Sequence, residues 1–154
     1  MVLLLALALT GPPPTASNTH FSQTLRTTAP PARIWAIWTD VPAWPSWDSP
    51  VRQATLNGPF AVGTRGRLVP RKGPKATFKI VAVEPGQSYT LRTKLPLGAL
   101  FVKRTLHQQD GQTAFTHEVW FSGFSKGLFG RVLGQDFRAV LPEVMAAIKQ
   151  QAEQ

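Results

Sequence analysis

The sequence predicts an α+β domain, an antiparallel sheet of six to seven strands packed on one long C-terminal helix, with two short helices after the first strand. Three observations predict it. Between Gly127 and Gln154, Leu128, Phe129, Val132, Leu133, Phe137, Val140, Leu141, Val144, Met145 and Ile148 recur at intervals of three and four, the period of a single apolar helical stripe. Such a stripe, about 30 Å long, needs a large apolar surface to lie on. Between Val51 and Ser122, short strand-like runs alternate with turn signals, which implies hairpin connections and antiparallel pairing. Finally, 154 residues that are 43% hydrophobic suffice for one ordinary buried core.

At the N-terminus, Met1–Thr10 (MVLLLALALT) is apolar but too short for a bilayer-crossing helix, which takes about 20 residues. Gly11-Pro12-Pro13-Pro14 stops it and forms a stiff linker. The basic start and small-x-small cleavage site of a secretory signal are missing. Two readings stay open: a truncated signal or lipid-facing anchor on an exported or membrane-associated protein, and an unstructured leader on a cytoplasmic one. In both, residues 1–18 lie outside the fold and residues 19–154 form one domain.

His20–Thr28 alternates Phe21, Gln23 and Leu25 against Ser22, Thr24 and Arg26, the period of a half-buried strand. Ala29-Pro30-Pro31 ends that strand and opens a helix at Ala32, since proline suits a first turn. Ile34, Trp35, Ile37 and Trp38 form the apolar face of this helix, and Asp40-Val41-Pro42 closes it. A second helical turn, Pro42–Trp47, carries Trp44 and Trp47; Trp35, Trp38 and Trp44 are read as core rather than as a ligand cage. The expected strands are then Val51–Leu56, Thr64–Val69, Lys75–Val83, Tyr89–Thr93, Leu100–Gln108 and Thr113–Ser122. They are separated by Asn57-Gly58-Pro59, Lys72-Gly73-Pro74, Glu84-Pro85-Gly86-Gln87, Pro96-Leu97-Gly98 and Asp110-Gly111. Gly123, Gly127 and Gly130 mark a joint into the last helix, and Pro142 is expected to kink that helix near Arg138–Leu141.

Two turns set the strand register. With Asp110-Gly111 as a two-residue hairpin loop, Leu106 faces Phe115, Arg104 faces His117, Val102 faces Val119 and Leu100 faces Phe121 on the inner surface. The outer surface pairs Thr105 with Thr116, Lys103 with Glu118 and Phe101 with Trp120. Counting from Pro85-Gly86 sets Ile80 against Leu91 and Ala82 against Tyr89 inside, with Lys79 and Arg92 outside.

The formal charge of +9 is concentrated between Arg65 and Arg104, where ten basic residues stand against one acid, Glu84. A solvated outer sheet face accounts for this patch, and nucleic acid is disfavoured because the segment lacks interleaved exposed aromatics. An anionic membrane surface is a partner the charge would suit. There is no cysteine, which excludes disulfides, thiolate metal sites and cysteine nucleophiles, and His20, His107 and His117 suggest no metal cluster.

The order of these parts resembles the START-like helix-grip superfamily (SRPBCC), and within it the bacterial polyketide cyclase/dehydrase-like branch. The resemblance is carried by Ala29–Asp40 (APPARIWAIWTD), Asn57–Leu68 (NGPFAVGTRGRL) and Thr116–Gly123 (THEVWFSG), and covers about residues 20–150. It implies a curved sheet gripping the last helix, with an apolar cavity between them for lipids, sterols, polyketides or other hydrophobic small molecules. Members of the superfamily include enzymes, transporters and binders without catalysis.

On that expectation the cavity walls are Phe78, Ile80, Leu91, Val102, Val119, Phe121, Phe137 and Leu141, and the polar end is Arg104 with His117. The first reading is binding or transport of a hydrophobic or amphipathic small molecule by a monomer. The alternative is a cyclase/dehydratase-type enzyme acting on a carbonyl-bearing ligand, with His117 as base and Arg104 polarising a carbonyl or holding an enolate. Neither a metal nor a nucleotide cofactor is implied. No carboxylate is expected to orient His117, since Glu118 points to the other face, and Arg104 is expected to be satisfied by an anionic or carbonyl-bearing ligand, by water, or by a nearby acceptor such as Gln23.

Overall fold

The computed structural model describes residues 17–154, so the expectations for residues 1–16 lie outside the described residues. Strand β1 (His20–Thr27) leads into helix α1 (Pro31–Thr39) and a short 3-10 helix (Val41–Ser46). Six further strands follow: β2 (Val51–Leu56), β3 (Arg65–Pro70), β4 (Ala76–Glu84), β5 (Ser88–Leu95), β6 (Gly98–Gln109) and β7 (Gln112–Gly123). They form one curved antiparallel sheet of seven strands in the order β1-β7-β6-β5-β4-β3-β2. Every connection from β2 to β7 joins neighbours, as hairpin-length turns require.

Asp110 and Gly111 adopt φ of 52° and 76°, the doubly left-handed geometry of a two-residue hairpin that matches strand twist. The pairing counted from that loop therefore holds along the whole β6–β7 ladder, including Arg104 with His117. The Pro85-Gly86 count holds less far. Ile80 pairs with Leu91, but a bulge between Ile80 and Ala82 sets Ala82 against Thr90 and Val83 against Tyr89. The extra residue, Val81, shifts the following side chains by one, so Ala82 is exposed rather than inside.

The C-terminal segment departs from one uninterrupted helix. It consists of α2 (Lys126–Phe129), a π-helical turn (Gly130–Gly134) and α3 (Gln135–Ala152), and α3 runs on through Pro142. A π turn holds an extra residue, and one residue rotates a helical stripe by about 100°. Hence the expected single stripe divides. Leu141, Val144, Met145 and Ile148 are buried against the sheet, whereas Leu128, Val132 and Phe137 face solvent. Gly130 and Gly134 lie against Asn18 and Thr19, and a Cβ at Gly134 would overlap the Asn18 carbonyl. Only glycine allows that approach.

The core lies between the concave sheet face, α1, the 3-10 helix and α3. Trp38, Trp44, Phe78, Tyr89, Phe115, Ile80 and Met145 are among its fully buried members. The core reading holds for Trp38 and Trp44, while Trp35 is half-buried at the edge. On the outer face one row crosses the sheet through Arg65, Lys79, Arg92, Phe101, Trp120 and His20. Phe101 and Trp120 stack flat, with centroids 5.0 Å apart.

Candidate functional site

Neighbouring strands β5, β6 and β7 place Tyr89, Arg104 and His117 side by side on the concave face, and β1 continues the row with Gln23. Arg104 and His117 are only 5% and 2% exposed, so the guanidinium does not extend to a solvent rim. Arg104 Nη1 donates to the Tyr89 hydroxyl, which serves as its acceptor in the place foreseen for Gln23. The guanidinium carbon sits 4.9 Å from the centroid of Trp47, 5.3 Å from Trp44 and 5.5 Å from Tyr89. Rings at this range stabilise a desolvated cation through their quadrupoles.

The roof over this row comes from α1 and the 3-10 helix. Proline at the start of α1 and within the 3-10 helix fixes the backbone there, and Trp44 Nε1 donates to Trp38 O at 2.9 Å, tying the two elements together. Trp38 then covers His117 with ring centroids 5.5 Å apart. Gly66 of β3 leaves room for Phe78, which stacks on Trp44 at 5.4 Å. Among the described residues, Arg104 Nε, His117 Nε2, Trp38 Nε1 and Trp47 Nε1 are buried without a hydrogen-bond partner. Four such atoms in one neighbourhood are a concentration that folded proteins seldom carry without a use.

Burial, and secondarily the charge of Arg104, holds the His117 imidazole well below its ordinary range, so it is neutral. Burial also raises the Tyr89 phenol, against the opposing pull of Arg104. Asp48, at the end of the Pro45-Ser46-Trp47-Asp48 turn, is half-buried as a residue, yet desolvation raises its carboxyl and Arg104 opposes the shift. The Asp48 carboxyl thus feels the charge of Arg104, a coupling that the sequence did not reveal. Asp48 and Trp47 come from a turn whose path over the sheet is a tertiary feature. Tyr89 was within reach: treating Pro96-Leu97 as a hairpin loop pairs Leu95 with Gly98 and, counting back, Tyr89 with Arg104.

Of the expected walls, Phe78, Ile80, Leu91, Val119, Phe121 and Leu141 are buried together and Val102 is packed at their edge. Phe137 is not among them. It is exposed, on the first turn of α3 after the π-helical segment, one turn before the buried Leu141. Two open clefts lie outside these walls. One, of about 350 Å³, runs over the outer face between Gln53, Asn57, Arg67 and Lys75. The other, of about 510 Å³, lies between α1, the 3-10 helix and the end of α3 and is lined in part by Trp47. No group of three or more metal-ligating side chains occurs among the described residues.

A curved antiparallel sheet gripping a C-terminal helix, with a buried polar row inside the grip, defines a helix-grip protein. The chain belongs to the family described as polyketide cyclase / dehydrase and lipid transport, whose model matches residues 18–153. No curated protein matches the sequence. Solved structures share the fold at low identity. Protein CV1439 from Chromobacterium violaceum is 14% identical, with 88% of this chain and 98% of that one covered and a TM-score of 0.65. Ara h 8.0201 is 17% identical over 86% of this chain and 96% of its own, at 0.69. The di-domain ARO/CYC StfQ from the steffimycin biosynthetic pathway is 11% identical, with 88% of this chain covering 49% of that protein, at 0.67.

Proposed function

We propose that the protein binds, and in doing so transports, a hydrophobic or amphipathic small molecule between the sheet and the C-terminal helix, with the ligand's oxygen-bearing end at Arg104 and His117. The observation that carries this reading is the pair of buried, unpartnered atoms Arg104 Nε and His117 Nε2. Leaving a buried polar group unsatisfied costs about 1–3 kcal/mol, and more when it is charged. A carboxylate or carbonyl oxygen would accept from Arg104, and a ligand hydroxyl would donate to neutral His117. The apolar side chains of β4 to β7 and α3 supply the remaining surface. Membership of a cyclase and lipid transport family supports the same class of ligand.

Because these walls are closely packed, admission of a ligand requires the C-terminal segment to lift, with Gly123–Gly130 as the joint. Native mass spectrometry of the protein purified from its expression host tests the reading. A co-purifying small molecule, or uptake of added 2-naphthoate, is expected. A spectrum of bare chain that stays bare with added 2-naphthoate would remove it.

A second reading, cyclase or dehydratase chemistry on a carbonyl-bearing ligand, is favoured by the Tyr89 hydroxyl bonded to Arg104 in the same row as His117. Arg104 would hold a developing enolate, neutral His117 would take the proton, and Tyr89, kept protonated by burial, would donate to oxygen. Turnover lost in His117→Phe while binding persists would separate this reading from the first.

A further inference from the structure

We propose that the end of the fold formed by the β5–β6 turn and the segment Phe124–Phe137 docks on an anionic lipid bilayer. Two side chains there stand almost free of the protein, Phe124 at 99% exposed and Leu97 at 76%. They are neighbours, because Ser125 N donates to Leu97 O at 3.4 Å and Gly98 pairs with Gly123. Leu128, Val132 and Phe137 continue the exposed apolar surface along the following turns of helix. Large apolar side chains protruding together from a turn, a loop and a helix form a patch that a water-facing surface does not favour.

The backbone gives a second, independent indication. Leu97 holds φ at 56°, a left-handed conformation that a bulky residue rarely adopts and that glycine would take without strain. The turn therefore keeps a strained leucine whose side chain touches little of its own fold. The Leu97 backbone accepts from Ser125 N, but its side chain finds no burial in return for the strain and is left available for an external contact.

The charges select the partner. Within residues 123–138, Lys126, Arg131 and Arg138 stand against a single acid, Asp136, and Lys94 adds a cation from β5. Apolar side chains that reach the acyl boundary, ringed by cations at headgroup height, are what an anionic bilayer accommodates. The basic outer face of the sheet, by contrast, presents no comparable apolar group, since Phe101 and Trp120 are stacked on each other.

Co-sedimentation of the full chain with vesicles of phosphatidylcholine alone, and of phosphatidylcholine mixed with phosphatidylglycerol, tests this at physiological salt. Binding to the mixed vesicles is expected, with weak binding to the neutral ones. Phe124→Ser with Leu128→Gln should weaken it by about tenfold or more, and Lys126→Glu with Arg131→Glu should abolish the preference for phosphatidylglycerol. Leu97→Gly serves as a control on folding, because it relieves backbone strain: it should raise or maintain thermal stability while lowering vesicle binding. Absence of binding to either vesicle overturns the proposal. So does binding unchanged by these substitutions, or lost only with Lys79→Gln and Arg92→Gln, which would assign it to residues 1–16 or to the outer face. Dimeric sedimentation that becomes monomeric in Phe124→Ser would show the patch covered by a second copy and would also overturn it.

Discussion

Replacing Arg104 by methionine removes the charge from the row while keeping a long apolar side chain in its place. In the folded protein Arg104 is nearly fully buried, donates to Tyr89 and keeps its Nε unpartnered. A hydrogen bond from a charged group contributes about 1.5–3 kcal/mol, so a ligand carboxylate held there should bind about ten- to a hundredfold more weakly to the variant. Stability should move far less. Losing the Tyr89 bond and the aromatic contacts destabilises by a few kcal/mol, but removing an incompletely paired buried charge relieves a cost of similar size. Calorimetric titration with 2-naphthoate and with 2-methylnaphthalene separates charge from shape, since the rings are alike and only the acid has an oxyanion. The expected result is a large loss for the acid and almost none for the hydrocarbon. Equal losses for both would mean that Arg104 acts only by filling space, and no loss for either would refute its place at the polar end.

Other expectations follow from the same residues. His117 binds its proton less readily when folded than when unfolded, so between its depressed folded value and the ordinary 6.5 the unfolded chain holds more protons. Stability should therefore fall as pH drops below about 6.5, with a slope approaching about 1.4 kcal/mol per pH unit, and His117→Phe should flatten that part of a urea-denaturation profile. Gly134→Ala should destabilise by about 2 kcal/mol or more, because its Cβ would meet backbone at Asn18, whereas Gly127→Ala, with open space around it, should stabilise by about 0.5–1 kcal/mol in thermal unfolding. If the C-terminal segment lifts, amides of residues 123–135 should exchange faster than those of 143–150; uniform protection would count against the gate. Binding of the outer face to duplex DNA should be weak and should fall steeply with salt, and submicromolar affinity at physiological ionic strength would overturn the reading of Lys79 and Arg92 as solvating residues.

Local chemistry made much of this fold legible. Asp110-Gly111 specified a hairpin whose register fixed the faces of two long strands, and with them the partnership of Arg104 and His117. Proline and glycine placed nearly every element boundary to within two residues. What escaped was set by tertiary packing. The bulge at Val81 has no marker in the run Lys79–Val83, so Ala82 was placed inside. The π-helical turn, where Gly130 and Gly134 lie against the chain at Asn18, has no marker in the apolar spacing, so Leu128, Val132 and Phe137 read as part of the buried stripe. Trp47 came to lie against Arg104 only through the path of the 3-10 helix over the sheet, which no periodicity encodes.

Where a ligand lies is measured directly by intermolecular nuclear Overhauser effects between unlabelled 2-naphthoate and the isotope-labelled protein. Contacts from the naphthalene protons to Ile80, Leu91, Val119 and Leu141 are predicted, with the Arg104 and His117 side-chain resonances shifting on addition of the acid. Contacts confined to Ile37, Ala43 and the other residues of the cleft beside the end of α3, with Arg104 and His117 unmoved, would contradict it.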